Sequence, residues 1–159
     1  MTVQPVPEGY HTLTPYLIVN GAASALEFYA KAFGAQELFR LTGPGDTIGH
    51  AEMRIGDSPF MLADEFPQMG ALAPKAGHGH AVSFMVYVPD VDAAFARAIA
   101  AGCTEQRPVK TQFYGDRSGS LVDPFGHHWT LATHVEDVPP DELQRRMEKM
   151  MSGAPGSGA

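Results

Sequence analysis

The chain is poor in cysteine, in tryptophan, in positive charge and in long apolar runs. Cys103 is its single cysteine, which excludes an intrachain disulfide and every CxxC zinc or redox motif, and points to a reducing compartment, the cytoplasm. Lys and Arg number 11 against 18 Asp and Glu, a net charge of −7. A phosphate-backbone binder would have to carry a basic stripe inside that acidic field, so nucleic acid is not an expected partner. No stretch nears the ~18 apolar residues of a membrane span, and Met1 to Gly9 lacks the basic start and apolar run of a signal peptide, so neither export nor a membrane is expected. What the chain does have is material for an ordinary core, 44% apolar and 9% aromatic residues in 159, a length that suits one domain of about 100–200 residues.

The periodicity changes character along the chain and then repeats. Leu13 to Val19 is a short apolar run with Tyr, Ile and Val, which reads as a strand. Ala22 to Phe33 places Leu26, Tyr29, Ala30 and Phe33 at helical spacing, and Gly34 stands where a helix stops. Three strand-like runs follow, Glu37 to Thr42, His50 to Ile55 and Pro59 to Asp64, separated by turns at Gly43-Pro44-Gly45-Asp46 and Gly56-Asp57-Ser58. The same order recurs: a strand over Val82 to Val88, a helix opened by Pro89-Asp90 and closed by Gly102, then strands over 106–110, 119–123 and 128–134. A shift of 69 residues lays Val19 on Val88, and one of 68 lays Gly34 on Gly102, so the halves differ by a single residue. The fold class expected is α+β, with two tandem βαβββ modules (about 12–66 and 80–138) in one domain over 1–138. Phe66 to Gly79, rich in Gly, Pro and Ala, is the connector. A helix over 139–151 follows, its Leu143, Met147 and Met150 expected to pack on the body or on a second copy. The small uncharged tail, 152–159, is expected to be flexible.

Several segments carry a likeness: LEFYAKAFGA in the first helix, LVDPFGHHWTLATH in the last hairpin, and the runs HAEMRIGDSPFMLADEFP and FYGDRSGSLVDPFGHHW. With the paired βαβββ units, they resemble the vicinal oxygen chelate superfamily, the glyoxalase I/bleomycin-resistance/extradiol dioxygenase fold, and within it the PhnB-like branch, over about residues 12–138. The resemblance implies two open, cupped mixed sheets, usually completed by a second subunit, with a small-molecule ligand in each cup. In metal-dependent members four His/Glu ligands come from the first and last strands of both units. Carried over, those positions are Thr14, Phe60 or its same-face neighbour Leu62, Ser83 and Thr130. Hydroxyls and hydrocarbon cannot replace imidazole and carboxylate for a divalent ion, so no metal and no other cofactor is expected at them. A displaced site would draw on His50, Glu52, Asp64, Glu65, His80 and His128, although Arg54 shares the face of His50 and Glu52 and opposes a cation.

With Thr14, Ser83 and Thr130 placed inward, strand alternation lines the cup with Tyr16, Ile18, Phe60, Leu62, Met85, Tyr87, His128 and Ala132. Such a row serves equally as an apolar, aromatic ligand pocket or as plain core. Asp64 closes the fourth strand and Asp116 sits in the FYGDR turn, so with the net negative charge a cationic aromatic ligand is favoured. Phe113 and Tyr114 offer stacking area at the cup mouth, Arg117 pairs with Asp123 or with a ligand, and Asp123-Pro124-Phe125-Gly126 is a scaffold turn. Trp129 alternates away from Thr130 into the core. Ser83 and Ser120 lack spaced His/Asp partners and Cys103 follows a helix end, so no nucleophilic site is visible. The sequence therefore points to a metal-independent homodimer that sequesters an aromatic or cationic antibiotic or metabolite. The alternative is a lyase, isomerase or dioxygenase-like enzyme using His128 or a displaced metal.

Overall fold

The computed structural model describes residues 2–153, and the tail expected to be flexible falls, from residue 154, outside the described residues. Each half of the repeat forms one strand, one helix and a three-stranded meander. The first half comprises β1 (Tyr16–Val19), α1 (Ala22–Phe33), β2 (Gln36–Thr42), β3 (Ile48–Ile55) and β4 (Ser58–Asp64). The second comprises β5 (Ser83–Tyr87), α2 (Val91–Ala101), β6 (Thr104–Thr111), β7 (Asp116–Val122) and β8 (His128–His134), and α3 (Pro140–Ser152) follows. The two four-stranded sheets have the orders β1-β4-β3-β2 and β5-β8-β7-β6. In each, the first strand runs parallel to the last and the other pairs are antiparallel. A parallel pair needs a crossover, and α1 and α2 supply it.

The helices stop and start where local chemistry dictates. Gly34 closes α1 in the left-handed conformation and donates its N–H to the Ala30 carbonyl, while the Asp90 carboxylate opens α2 by accepting the Ala93 N–H at 3.1 Å. No side chain of its own caps α1. Asp64, at the end of β4, accepts the N–H groups of Gly21 and Ala22 through Oδ1 at 3.0 and 2.8 Å, and that of Ile48 through Oδ2 at 2.8 Å. The carboxylate thus sits at the positive end of α1 and binds it to β3 and β4.

The helix-facing sides of both sheets share one core. Leu17, Val19, Met53, Phe60 and Leu62 from the first sheet and Leu121, Trp129 and Leu131 from the second enclose Leu26, Tyr29, Val91 and Phe95 of the helices. Fully burying each large aliphatic side chain contributes about 1.5–3 kcal/mol. A polar clasp joins the halves inside this core. The Tyr29 hydroxyl donates to Asp123 Oδ2 at 2.7 Å, the Trp129 Nε1–H donates to the same oxygen at 2.8 Å, and the N–H groups of Phe125 and His127 donate to Oδ1, each at 2.9 Å. Trp129 is therefore the satisfied core residue that its parity predicts. Gly119 lets α2 and β6 close over β7, since a Cβ there would lie 2.8 Å from the side chains of Phe95 and Val109.

In the single chain Met147 and Met150 of the C-terminal helix remain 37% and 54% exposed while Leu143 is half-buried, and Arg146 ties α3 to the body. Arg146 grips both Glu136 oxygens at 2.9 and 2.7 Å, Glu142 at 2.9 Å and the Phe113 carbonyl at 3.1 Å. The strand exit below it is fixed by Gly115, whose carbonyl accepts the N–H groups of Val135 and Glu136 at 2.9 and 3.0 Å. Gly115 has φ 104 and its missing Cβ would run into the Glu136 carbonyl oxygen, so only glycine fits. Among the described residues no helix is long and apolar enough to cross a membrane.

Candidate functional site

The face of each sheet turned away from the helices is open, and its composition follows from the register. On the first sheet Tyr16 lies beside Met61 and Ile18 beside Ala63, Glu52 continues the Tyr16–Met61 row, and His50 and Arg54 flank it on β3 with Phe39 and Leu41 on β2. On the second sheet Ser83 lies beside His128, Met85 beside Thr130 and Tyr87 beside Ala132, and β7 adds Asp116, Ser118 and Ser120. Tyr16, Ile18, Met85, Tyr87, His128 and Thr130 thus occupy these open faces. Phe60, Leu62 and Asp64 do not. Phe60 and Leu62 are 5% and 0% exposed beneath α1, and Asp64 spends both oxygens on backbone N–H groups. A shift of one residue moves every side chain of a strand to the other face, and β4 is apolar on both sides, so alternation alone cannot tell Met61 from its neighbours. Phe60 does border a mainly apolar cavity of about 550 Å³, whose lining also includes Leu17, Met85, Tyr87 and Trp129, so three of the expected ligand residues meet there.

The open faces are also more polar than a greasy cup. A hollow of about 310 Å³ on the second sheet is lined by His80, Ser83, Gln106, Arg107, Ser120, His128, Trp129 and Thr130. The rings of His80 and His128 stack with centroids 3.7 Å apart, and His128 Nδ1–H donates to the Gln106 amide oxygen at 2.9 Å. Burial, then the adjacent His80, holds His128 below the usual imidazole range and so favours its neutral form. Arg107 donates to the Ser120 hydroxyl, which in turn bonds the Thr130 hydroxyl, each at 2.9 Å. Among the described residues no carboxylate lines this hollow, so the cation preference expected from Asp64, Asp116 and the net charge draws nothing from its lining.

Each open face carries a proton-bearing network. On the first sheet the Tyr16 hydroxyl donates to His50 Nδ1 at 2.8 Å and His50 Nε2–H donates to Glu52 at 3.0 Å. Burial pushes up both the Tyr16 phenol and the Glu52 carboxyl. This is a hydroxyl–imidazole–carboxylate chain, in which Glu52 orients the His50 ring toward the Tyr16 hydroxyl. On the second sheet buried Asp116 accepts the Tyr87 hydroxyl at 2.9 Å and His134 Nδ1–H at 2.7 Å, while His134 Nε2–H reaches Asp137 at 2.8 Å. The Asp116 bond, then that to Asp137, raises the His134 imidazole, and the bond to Asp116 raises the Tyr87 phenol. The Tyr114 hydroxyl reaches Ser118 at 3.4 Å and its ring meets Phe113 edge-on at 5.4 Å, so these two residues border the Ser118 end of β7, not the His128 hollow. Arg117 pairs with Asp92 through two 2.8 Å bonds and not with Asp123. Burial pushes the Cys103 thiol up to about 12, leaving it inert.

The donors do not fit a metal. The first-sheet position beside Tyr16 is Met61, and with Thr14, Ser83 and Thr130 it offers a thioether and hydroxyls where hard or borderline ions need imidazole or carboxylate. Glu65 accepts the Ala73 N–H at 2.8 Å. His80 and His128 stack face to face, so their in-plane lone pairs do not converge on one point. Among the described residues no three His, Cys, Asp or Glu side chains gather to hold an ion.

Two cupped βαβββ modules with ligand-sized open faces define a known class. The chain belongs to the Glyoxalase/Bleomycin resistance protein/Dioxygenase superfamily, whose sequence profile matches residues 10–131. An uncharacterized protein of Mycobacterium bovis (strain ATCC BAA-935 / AF2122/97) is 44% identical over 144 residues, covering 89% of this chain and 95% of that protein. The crystal structure of TioX from Micromonospora sp. ML1 is similar at a TM-score of 0.62 and 26% identity, over 79% of this chain and 99% of that one. A Bacillus cereus PhnB protein, described as a putative 3-demethylubiquinone-9 3-methyltransferase, shares the fold at a TM-score of 0.61 and 19% identity, over 77% and 99%.

Proposed function

We propose that the chain is a metal-independent small-molecule-binding protein that holds a flat aromatic compound, an antibiotic or a metabolite, and changes no bond in it. The supporting observation is the hollow on the second sheet, lined by imidazoles, hydroxyls, an amide and the Arg107 guanidinium, which shares Trp129 with the mainly apolar cavity that Met85 and Tyr87, 48% and 60% exposed, line with Phe60. Pockets of this mixture orient a small ligand through a few polar groups and bury it against apolar walls. Tyr16, Phe39 and Leu41, at 48%, 44% and 58% exposure, form a second bare apolar patch on the first sheet. We take it to be covered by another copy of the chain in a cytoplasmic homodimer. Native mass spectrometry of the purified protein, with elemental analysis, tests this. A dimer mass without stoichiometric Zn, Ni, Mn or Fe is expected, and stoichiometric metal that disappears in a His128→Ala variant overturns it.

The Tyr16–His50–Glu52 chain favours a second reading, an acid–base enzyme of the same fold. His128 serves this less well, because its Nδ1 proton is engaged by Gln106. Turnover of a bound compound that vanishes in Tyr16→Phe while affinity survives would select this reading.

A further inference from the structure

We propose that the hollow on the second sheet is an anion subsite, built to take the carboxylate or phosphate group of its ligand, with Arg107 as the charged donor. This rests on reading that hollow as the ligand site and names the chemistry it selects. Arg40, Arg117, Arg145 and Arg146 each pair with a carboxylate. Arg107 instead uses Nη2 on the Ser120 hydroxyl and borders a hollow whose polar lining is two imidazoles, hydroxyls and one amide. A guanidinium has five N–H donors in a planar fork that matches carboxylate and phosphate oxygens. The Ser120–Thr130 pair holds that fork in place, and the Thr130, Ser83 and His80 side chains add further donors around it. The net charge of −7 does not decide the matter. Screening length is ~8 Å at physiological salt, so nearby groups set the field inside the hollow, and the side chains that line it are cationic or neutral.

The probes are benzoate, benzamide and benzamidine, which share one ring and differ in the charge of the substituent. Binding is followed by side-chain NMR of His80 and His128 in the full-length protein. Benzoate is expected to shift both rings and to bind about tenfold or more tighter than the other two, a charged hydrogen bond being commensurate with that ratio. Arg107→Gln is expected to erase the preference and Arg107→Lys to retain part of it, with circular dichroism confirming that both fold. Inorganic phosphate, added alone, separates a general oxyanion site from one that needs the ring. Benzamidine binding as tightly as benzoate, or a preference that survives Arg107→Gln, overturns the anion assignment and leaves small-molecule binding standing. If none of the probes moves either imidazole, the hollow is not a ligand site and both readings fall.

Discussion

Asp123 is the residue whose removal has the most calculable effect. Its Oδ2 takes two side-chain donors, Tyr29 and Trp129, which are 0% and 3% exposed, and its Oδ1 takes two turn N–H groups that water reaches more readily. An orphaned buried donor costs about 1–3 kcal/mol, so Asp123→Ala is expected to cost about 3–5 kcal/mol once the relief of a buried carboxylate is set against the lost bonds. Domains of this size are stable by only about 5–15 kcal/mol. Asp123→Asn keeps one acceptor for the turn but turns an amide NH₂ toward the two donors, which gives about 2–3 kcal/mol. Tyr29→Phe removes one donor and leaves the rest of the clasp, which gives about 1–2 kcal/mol. Trp129 is the only tryptophan and stands at the clasp, so its fluorescence in guanidinium unfolding reports the series directly. The reasoning is refuted if Asp123→Ala loses less than ~1 kcal/mol or if Tyr29→Phe proves the more damaging change.

Leu62→Ala is expected to cost about 2–5 kcal/mol and Met61→Ala much less in the monomer; equal costs by the same denaturation assay would mean that the face assignment of β4 is wrong. His134 has a folded-state pKa raised by Asp116, so its contribution is complete below the unfolded value near ~6.5 and is lost as pH rises through the folded value. NMR should place the His134 midpoint above the unfolded one, with Asp116→Asn returning it downward and the Val135 and Glu136 amides losing exchange protection as pH climbs. For the first-sheet network, ¹⁵N NMR of His50 should show a protonated Nε2 and a hydrogen-bonded acceptor at Nδ1 near neutral pH, and Glu52→Gln should mix the tautomers. Cys103 should react with a thiol reagent only at the rate of global unfolding, and prompt labelling of the folded protein would contradict its burial.

The repeat was legible because its punctuation is local. Gly34 and Gly102 stop helices through backbone conformations few other residues tolerate, and Asp90 caps the next one within four residues. The faces of β1, β5 and β8 were legible too, since Trp129 and Thr130 differ enough in character for alternation to show. The β4 face was not. Pro59 to Ala63 is apolar throughout, and only pairing with β1 and β3 settles which side chains look outward. The site chemistry was hidden for a related reason. His50 and Glu52 stand two residues apart, but Tyr16 joins them from 34 residues away because β4, not β2, separates β1 from β3. The bias toward cations came from Asp64 and Asp116 together with the net charge, and neither carboxylate lines the hollow that Arg107 borders; Arg107 sits on an edge strand whose sequence shows no sign of what it faces.

Gly115 shows how much of the chain's end hangs on one small opening. An alanine there would drive its methyl group into the Glu136 carbonyl, and the segment would have to release Val135 and Glu136 to make room. Glu136 is also the anchor that Arg146 holds, so the terminal helix would come away with it and swing as a pendant from β8. A single hydrogen atom in place of a methyl group therefore determines whether the last helix is a fixed fin beside the second sheet or a loose appendage.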